Sequence, residues 1–162
     1  MIVLGIETSG PVGSVALRRG GRCVEERFLP ELGRRHAQSL VPEVAAFLAR
    51  HGVAAADVDA VAVSVGPGSF TGLRVGVTFA KTFAYAAGAE LAAVETFRAI
   101  AENAPAAGTV AVVADAQRGG LMLGLYDRDA AGASVRRGEI RLVAAEELPR
   151  LVPPAALLTG PG

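Results

Sequence analysis

The order of apolar runs and glycine turns in this chain occurs twice, and this repetition constrains the fold more than any other feature. Residues 2–7 form an apolar run that ends in an acid, and residues 109–115 form another. In both places a turn containing glycine follows, and two segments joined as a hairpin come next. Such internal similarity predicts a duplicated fold. We therefore expect an α/β protein with two related domains, over residues 1–105 and 106–162.

Hydrophobic periodicity predicts similar elements in each copy. For the first copy we expect strands at 2–7, 14–19, 22–29, 58–66 and 90–94, with helices at 36–50, from the turn after 66 to about 87, and from about 96. For the second we expect strands at 109–116, 121–127, 133–143 and 155–160, with a helix at 144–151. The sequence stops at Gly162, where the first copy continues into a helix, so we expect the second copy to be reduced or truncated.

Composition limits the classes of partner. Because 16 Lys and Arg residues balance 16 Asp and Glu residues, charge alone does not predict nucleic-acid binding. We interpret the local basic spots at 18–19, 34–36 and 136–137 as solvated turn and helix-end residues. Charged residues interrupt every apolar run before the roughly 20 residues that a membrane span needs, so we expect no membrane partner. The single cysteine, Cys23, excludes an internal disulfide framework and favours a cytoplasmic protein.

The segment "SVGPGSFTGLR" at 64–74 is glycine-rich and precedes a predicted helix. A Walker loop needs Lys and then Ser or Thr where this chain has Arg74 and Val75, and a dinucleotide fingerprint needs glycine at Thr71. A nucleophile elbow around Ser69 also fails, because its flanking glycine positions hold Pro67 and Thr71. Two interpretations stay open: a generic anion site at a helix N-terminus, or a tight turn whose Ser69 or Thr71 caps the helix.

The predicted helix after this turn carries small residues at every fourth position, which places them on one stripe. They are Gly72, Gly76, Ala80, Ala84 and Gly88. Apolar residues flank the stripe on both sides, so most of the circumference is apolar. Such a helix is either buried between layers or forms half of an interface.

Four segments now carry a family resemblance: "GIETSG", the histidine of "RRHAQSLVPEV", "SVGPGSFTGLRVGVTFAK" and "VADAQRGGLMLGLYD". In this order and spacing they resemble the TsaB (YeaZ) family, whose members take part in synthesis of threonylcarbamoyladenosine on tRNA. The resemblance covers nearly the whole chain. It implies the fold shared by actin, sugar kinases and Hsp70 (the ASKHA fold), in which two ribonuclease-H-like halves are joined.

The resemblance also implies a role and an interface. Proteins of this family pair with a catalytic paralogue, TsaD, and with the ATPase TsaE, and they contact tRNA through that complex. We therefore expect a non-catalytic subunit that stabilises and activates a TsaD-type protein and that forms a homodimer in isolation. The two helices of the first copy would provide the interface. Its expected residues are His36, Leu40, Val44, Phe70, Gly72, Leu73, Arg74, Gly76, Val77, Ala80 and Ala84.

An enzymatic role is the alternative, as a nucleotide-dependent phosphotransferase or ATPase of the actin-like class. By analogy with kinases of this fold, Glu7, Thr8, Ser9 and Asp115 would then contact nucleotide, and ATP or ADP could bind in the complex. The metal-binding histidine pair of TsaD has no counterpart here, because Thr96 and Ile100 stand near those positions, so we expect no metal site.

Two further features of the sequence bear on an enzymatic activity. The loop at 115–122 lacks the arginine, glutamate and tyrosine common in TsaB sequences, which puts any family function of that loop in doubt. A glycoprotease-like hydrolase, a label once given to related proteins, is a third possibility that the same missing metal ligands disfavour.

Overall fold

The computed structural model describes residues 1–29, 36–105, 107–116 and 119–161, and for residues 36–38 the backbone alone. The chain divides into two compact units, Met1–Val94 and Glu95–Gly162. The boundary predicted at residue 105 is therefore displaced, because the helix at Thr96–Glu102 packs against strands of the second unit.

The first unit is built on a mixed sheet. Its strands are β1 (Ile2–Glu7), β2 (Gly13–Arg19), β3 (Arg22–Leu29), β4 (Ala60–Ser64) and β5 (Glu90–Val94). In the sheet they lie in the order β3-β2-β1-β4-β5. Strand β2 pairs antiparallel with both β1 and β3, and β4 and β5 run parallel to β1. The bounds of β1, β3 and β5 agree with those predicted from the sequence.

Two long helices pack within the first unit, α1 (His36–Arg50) and α2 (Phe70–Ala87). Helix α2 begins where the Ser69 hydroxyl accepts a hydrogen bond from the Gly72 N–H, which confirms Ser69 as the predicted cap. It ends at Gly88, whose φ of 70° is the left-handed conformation that glycine adopts at little cost. A short 3₁₀ helix at Ala55–Asp57 precedes β4.

The core of the first unit lies between the helices and one face of the sheet. It contains Leu4, Ile6, Val15, Leu17, Leu29, Leu40, Val44, Phe47, Leu48, Val53, Val58, Val61, Val63, Ala80 and Ala84. Strand residues in this set alternate along β1, β2 and β4, as a half-buried sheet requires. The α1 residues recur at three- and four-residue steps, as its amphipathic pattern predicts.

The second unit is built on a second mixed sheet. Its helices are α3 (Thr96–Glu102) and α4 (Leu148–Leu151), and its strands are β6 (Gly108–Asp115), β7 (Gly120–Arg128), β8 (Ser134–Arg136), β9 (Arg141–Ala144) and β10 (Leu157–Thr159). The order is β10-β6-β7-β8, with β9 also paired to β7. A 3₁₀ turn at Ala145–Glu147 leads into α4.

The single strand predicted at 133–143 is wrong, because the structure divides it in two. Strand β8 pairs with residues 126–128 of β7, whereas β9 pairs with residues 120–123. Gly138, with a φ of 74°, lies between them and turns the chain. The helix predicted at 144–151 is correspondingly short.

The two sheets share a pattern of pairing. In each, the first strand pairs antiparallel with a hairpin partner on one side and parallel with a later strand on the other. Strand β10 thus occupies beside β6 the place that β4 occupies beside β1. Both later strands are followed by a glycine–proline pair, Gly66-Pro67 and Gly160-Pro161.

Candidate functional site

The turn at 66–69 and the start of α2 pack directly onto the chain that leaves β1. A Cβ at Gly68 would lie 2.5 Å from the Ser9 carbonyl oxygen, and one at Gly72 would overlap the Thr8 carbonyl oxygen. The Thr8 hydroxyl also donates to the Gly72 carbonyl oxygen at 2.9 Å. Glycine at 68 and 72 is therefore required by close backbone approach.

The backbone donors of this turn are partly used within the chain. The Ser69 N–H donates to the Ser9 carbonyl at 2.7 Å, and the Gly72 N–H donates to the Ser69 hydroxyl at 3.2 Å. An anion site at a helix N-terminus needs such N–H groups to face a ligand. Because Ser9 and Ser69 satisfy the N–H groups of residues 69 and 72, the structure favours the tight-turn interpretation of the segment.

The carboxylate of Glu7 also forms its hydrogen bonds within the first unit. It accepts hydrogen bonds from the Ser9 N–H and from the Ser64 hydroxyl, which joins the ends of β1 and β4. Thr8 and Ser9 are buried. The Glu7 carboxylate, the Thr8 hydroxyl and the Ser9 backbone are thus used by partners within the first unit, which disfavours a nucleotide phosphate at these residues.

The remaining predicted nucleotide residue, Asp115, is exposed at the end of β6 in the second unit. The adjoining Gln117 and Arg118 lie outside the described residues, so the divergent loop at 115–122 is described only in part. Within the described part of the chain, no three His, Cys, Asp or Glu side chains converge as metal ligands would.

The small-residue stripe of α2 faces the protein's own sheet. Gly72, Gly76, Ala80 and Ala84 are all buried, and a Cβ at Gly76 would collide with the Thr8 hydroxyl. Our interpretation of this stripe as a surface for a partner helix is therefore wrong. The stripe allows α2 to approach β1 and β4 closely, which is the buried alternative that the sequence left open.

Two of the predicted interface residues on α1 need the same correction. Leu40 and Val44 are each 1% exposed and belong to the core of the first unit. They point inward because their i, i+4 spacing places them on the apolar face that packs on the sheet. The side chain of His36, the first residue of α1, lies outside the described part of the structure.

The remaining predicted residues on α2 lie nearer the surface, although Val77 still packs against the core of the first unit. Phe70 is 73% exposed, and the Arg74 guanidinium lies 5.4 Å from the centre of its ring. Leu73 and Val77 are partly buried. An exposed aromatic ring stacked with arginine is a pair of side chains enriched at protein interfaces.

Sequence reasoning missed the exposed face of α1. Between residues 41 and 49 the exposed positions are Val41, Pro42, Ala45, Ala46 and Ala49, and all of them are apolar. A solvated helix face normally carries charged residues. The signal was present in the sequence, since Val41, Ala45 and Ala49 recur at every fourth position.

Ion pairs link α1, and the residue that follows it, to β3. Glu25 accepts hydrogen bonds from Arg50 at 2.6 Å and pairs with His51 at 2.9 Å. The Arg50 guanidinium lowers the pKa of Glu25, with His51 contributing in the same direction. Arg27 and Glu43 form a second pair at 3.5 Å.

The second unit holds a partly buried polar cluster that the sequence did not predict. The Tyr126 hydroxyl donates to Glu95 at 2.5 Å, and Arg136 pairs with the same carboxylate at 2.6 Å. Burial raises the pKa of Tyr126, and the hydrogen bond to Glu95 raises it further. The cluster links the N-cap residue of α3 to β7 and β8. Because Tyr126 belongs to a core cluster of the second unit, we assign these contacts a structural role.

Comparison with known proteins relates this chain to proteins of tRNA threonylcarbamoyladenosine biosynthesis. Residues 28–147 match the family model described as TsaD, tRNA N6-adenosine threonylcarbamoyltransferase. The chain is 34% identical over 127 residues to the tRNA threonylcarbamoyladenosine biosynthesis protein TsaB of Bacillus subtilis, covering 78% of this chain and 55% of that protein. The chain thus spans about half the length of the curated relatives it matches.

Solved structures agree with this relationship. YeaZ from Pseudomonas aeruginosa superposes with a TM-score of 0.79 at 32% identity, covering 90% of this chain and 68% of the other. The ROK hexokinase of Thermus thermophilus superposes with a TM-score of 0.51 at 20% identity, covering 86% and 49%. The second comparison bears on the fold alone, and it supports the predicted likeness to sugar kinases.

Proposed function

Because the chain belongs to the TsaB (YeaZ) family, we propose that it acts as a partner subunit in the biosynthesis of threonylcarbamoyladenosine on tRNA. Its role would be non-catalytic, and it would stabilise and activate a TsaD-type catalytic subunit. The family relationship supports the pathway. The observation that carries the partner role is the uncharged, exposed face of α1.

The contact surface we propose differs from the one predicted from the sequence. It comprises the exposed face of α1, at Val41, Ala45 and Ala49, together with Phe70 and Arg74 on α2. Alanine side chains allow a partner backbone to approach closely, and the Phe70–Arg74 pair would anchor the edge of the contact. The buried stripe of α2 would contribute indirectly, since it sets the position of α2 on the sheet.

The nucleotide-dependent phosphotransferase is not favoured by any arrangement of the described residues. Its expected residues Glu7, Thr8 and Ser9 bind one another, Ser64 and the start of α2 instead. If ATP or ADP acts in the pathway, we propose that the nucleotide binds to the partner proteins.

We extend the proposal to the assembly and to the fold. A TsaE-type ATPase would join the complex, the chain alone would form a homodimer through the same exposed faces, and the complex would work in the cytoplasm. The matching pairing of the two sheets supports an origin by duplication of a ribonuclease-H-like unit within the ASKHA fold.

Reconstitution of the modification reaction tests this function. Purified TsaD-type and TsaE-type proteins would be supplied with tRNA, threonine, bicarbonate and ATP, together with the enzyme that makes the threonylcarbamoyl adenylate. Addition of this chain should increase the yield of modified adenosine, and Ala45→Arg should abolish the increase. The control Ala130→Arg makes the same change at an exposed turn of the second unit. Equal yields with and without the chain would refute the proposal.

A further inference from the structure

The hairpin between β2 and β3 concentrates positive charge at one end of the first sheet. Arg18, Arg19 and Arg22 are all exposed, and the turn between them is Gly20-Gly21. Both glycines have positive φ, at 58° and 83°. A Cβ at either position would meet no atom within 4 Å, so the tip is open to an approaching ligand.

Arg19 and Arg22 form a like-charge pair. They are directly opposite each other in the register of β2 and β3. Like charges at such positions destabilise a sheet. Among the described residues, no carboxylate lies within ion-pair distance of either guanidinium, and Asp59, beyond the paired strand β1, contacts the terminal ammonium at 3.8 Å and the Ile2 N–H.

Five other described arginines differ in this respect. Four do not, because no ion pair with a described carboxylate is formed by Arg74, Arg128, Arg141 or Arg150. Arg27, Arg50, Arg98, Arg136 and Arg137 each pair with a carboxylate. The basic spot at 136–137 is therefore neutralised by carboxylates. In contrast, Arg18 directs Nε and Nη2 to the Gly21 carbonyl oxygen at 3.0 and 2.9 Å, which holds its side chain at the tip.

We propose that this hairpin binds backbone phosphates of RNA, which under the proposed function is the tRNA substrate of the complex. The planar guanidinium of arginine matches the oxygens of a phosphate in a two-pronged arrangement. Phosphates bound there would offset the repulsion between Arg19 and Arg22. The inference rests on the proposed function for the identity of the RNA.

The hairpin lies away from the Phe70 end of the proposed protein contact. Arg19 pairs with Ile2 at the start of β1, whereas Phe70 follows the far end of β4, which runs parallel to β1. The tip and Phe70 thus lie at opposite ends of the first sheet. Contact at Phe70 would therefore leave the hairpin accessible, whereas the Ala49 end of the α1 face lies nearer to it, because the adjoining Arg50 pairs with Glu25 of β3.

Fluorescence anisotropy with a labelled tRNA transcript tests the proposal, on the chain alone and mixed with its TsaD-type partner. The Arg19→Gln/Arg22→Gln variant should bind RNA at least about tenfold more weakly at low salt, and the slope of log K against log salt should fall by about 1.5. The Arg98→Gln/Arg137→Gln control removes the same charge from paired arginines and should bind RNA nearly as wild type. Because the hairpin variant relieves a repulsion, its free energy of unfolding should not fall.

Each other outcome overturns the proposal. Equal weakening in both variants would show that net charge alone matters. Unchanged RNA binding with loss of the TsaD-type subunit would make the hairpin a protein contact. Absence of salt-dependent RNA binding by the wild type in both forms would also refute the inference. Association with the TsaD-type subunit is measured separately by native mass, so its failure would refute the proposed function and leave the RNA result interpretable.

Discussion

The hydroxyl of Thr8 lies where a side chain at Gly76 would begin, and its hydrogen bond to Gly72 fastens α2 to the end of β1. The backbone of α2 at Gly72 and Gly76 therefore packs directly against Thr8, the residue that follows β1. Gly72 and Gly76 of α2 are thus explained by packing within the first unit, and the partner surface that we propose lies on other residues.

Substitution at Gly76 should destabilise the protein itself. Gly76→Ala places a methyl group against the buried Thr8 side chain, and overpacking of this kind costs about 1–3 kcal/mol. Urea unfolding measures the loss. Thr78→Ala, at an exposed position of the same helix, should change stability by less than about 0.5 kcal/mol. A Gly76→Ala protein as stable as wild type would contradict the packing described here.

Loss of the Ser64 hydroxyl should lower the free energy of unfolding, and we expect no role for this hydroxyl in nucleotide binding. Ser64→Ala leaves the Glu7 carboxylate with one fewer donor, which should cost about 1–3 kcal/mol.

Calorimetry with ATP and magnesium should show no saturable binding by the wild-type chain. Binding with turnover that Glu7→Ala abolishes would instead support the phosphotransferase.

The contribution of Glu25 to stability should depend on pH. Arg50 and His51 lower its pKa in the folded protein, so the contribution is present above the unfolded carboxyl range near 4.5 and is lost as the pH falls through the lower, folded value. Urea unfolding of wild type and Glu25→Gln should therefore differ near neutral pH and converge in acid. Glu139→Gln, at an exposed position of the second unit, provides the control. A difference that persists in strong acid would disprove this role of the charge.

Tyr126 should resist ionisation while the protein is folded. Its pKa is raised by burial and by Glu95, so its stabilising contribution is full below the unfolded value of about 10 and is lost as pH rises through the folded value. In the Tyr85→Phe variant the phenolate absorbance reports on Tyr126 alone, because the chain has two tyrosines. Ionisation at the ordinary pH of tyrosine in the folded state would contradict the buried hydrogen bond.

The sequence predicted local structure well and long-range contacts poorly. The bounds of α1 and β3 followed from periodicity and turn residues, and Ser69 was a recognisable cap. The small-residue stripe showed that something approaches α2 closely, but Thr8 is 64 residues before Gly72, and spacing along one helix does not identify its neighbour. Tyr126 and Glu95 were missed for the same reason, since 31 residues separate them.

The exposed face of α1 left a pattern in the sequence, but the spacing did not show that this face is exposed. Val41, Ala45 and Ala49 have the same four-residue spacing as the α2 stripe, and both helices contain small apolar residues. Burial distinguishes them: the α2 stripe faces the sheet, and the α1 stripe faces solvent. Which of two such stripes turns inward depends on the packing of the whole unit.

We propose that a TsaD-type subunit binds the exposed face of α1. The most direct measurement is the dissociation constant of that complex, obtained by titration calorimetry for wild type, Ala45→Arg and Ala130→Arg. We expect Ala45→Arg to weaken binding by at least about 100-fold, since a buried unpaired charge costs several kcal/mol, while Ala130→Arg binds as wild type. Equal affinity for all three proteins would place the interface elsewhere and contradict the account.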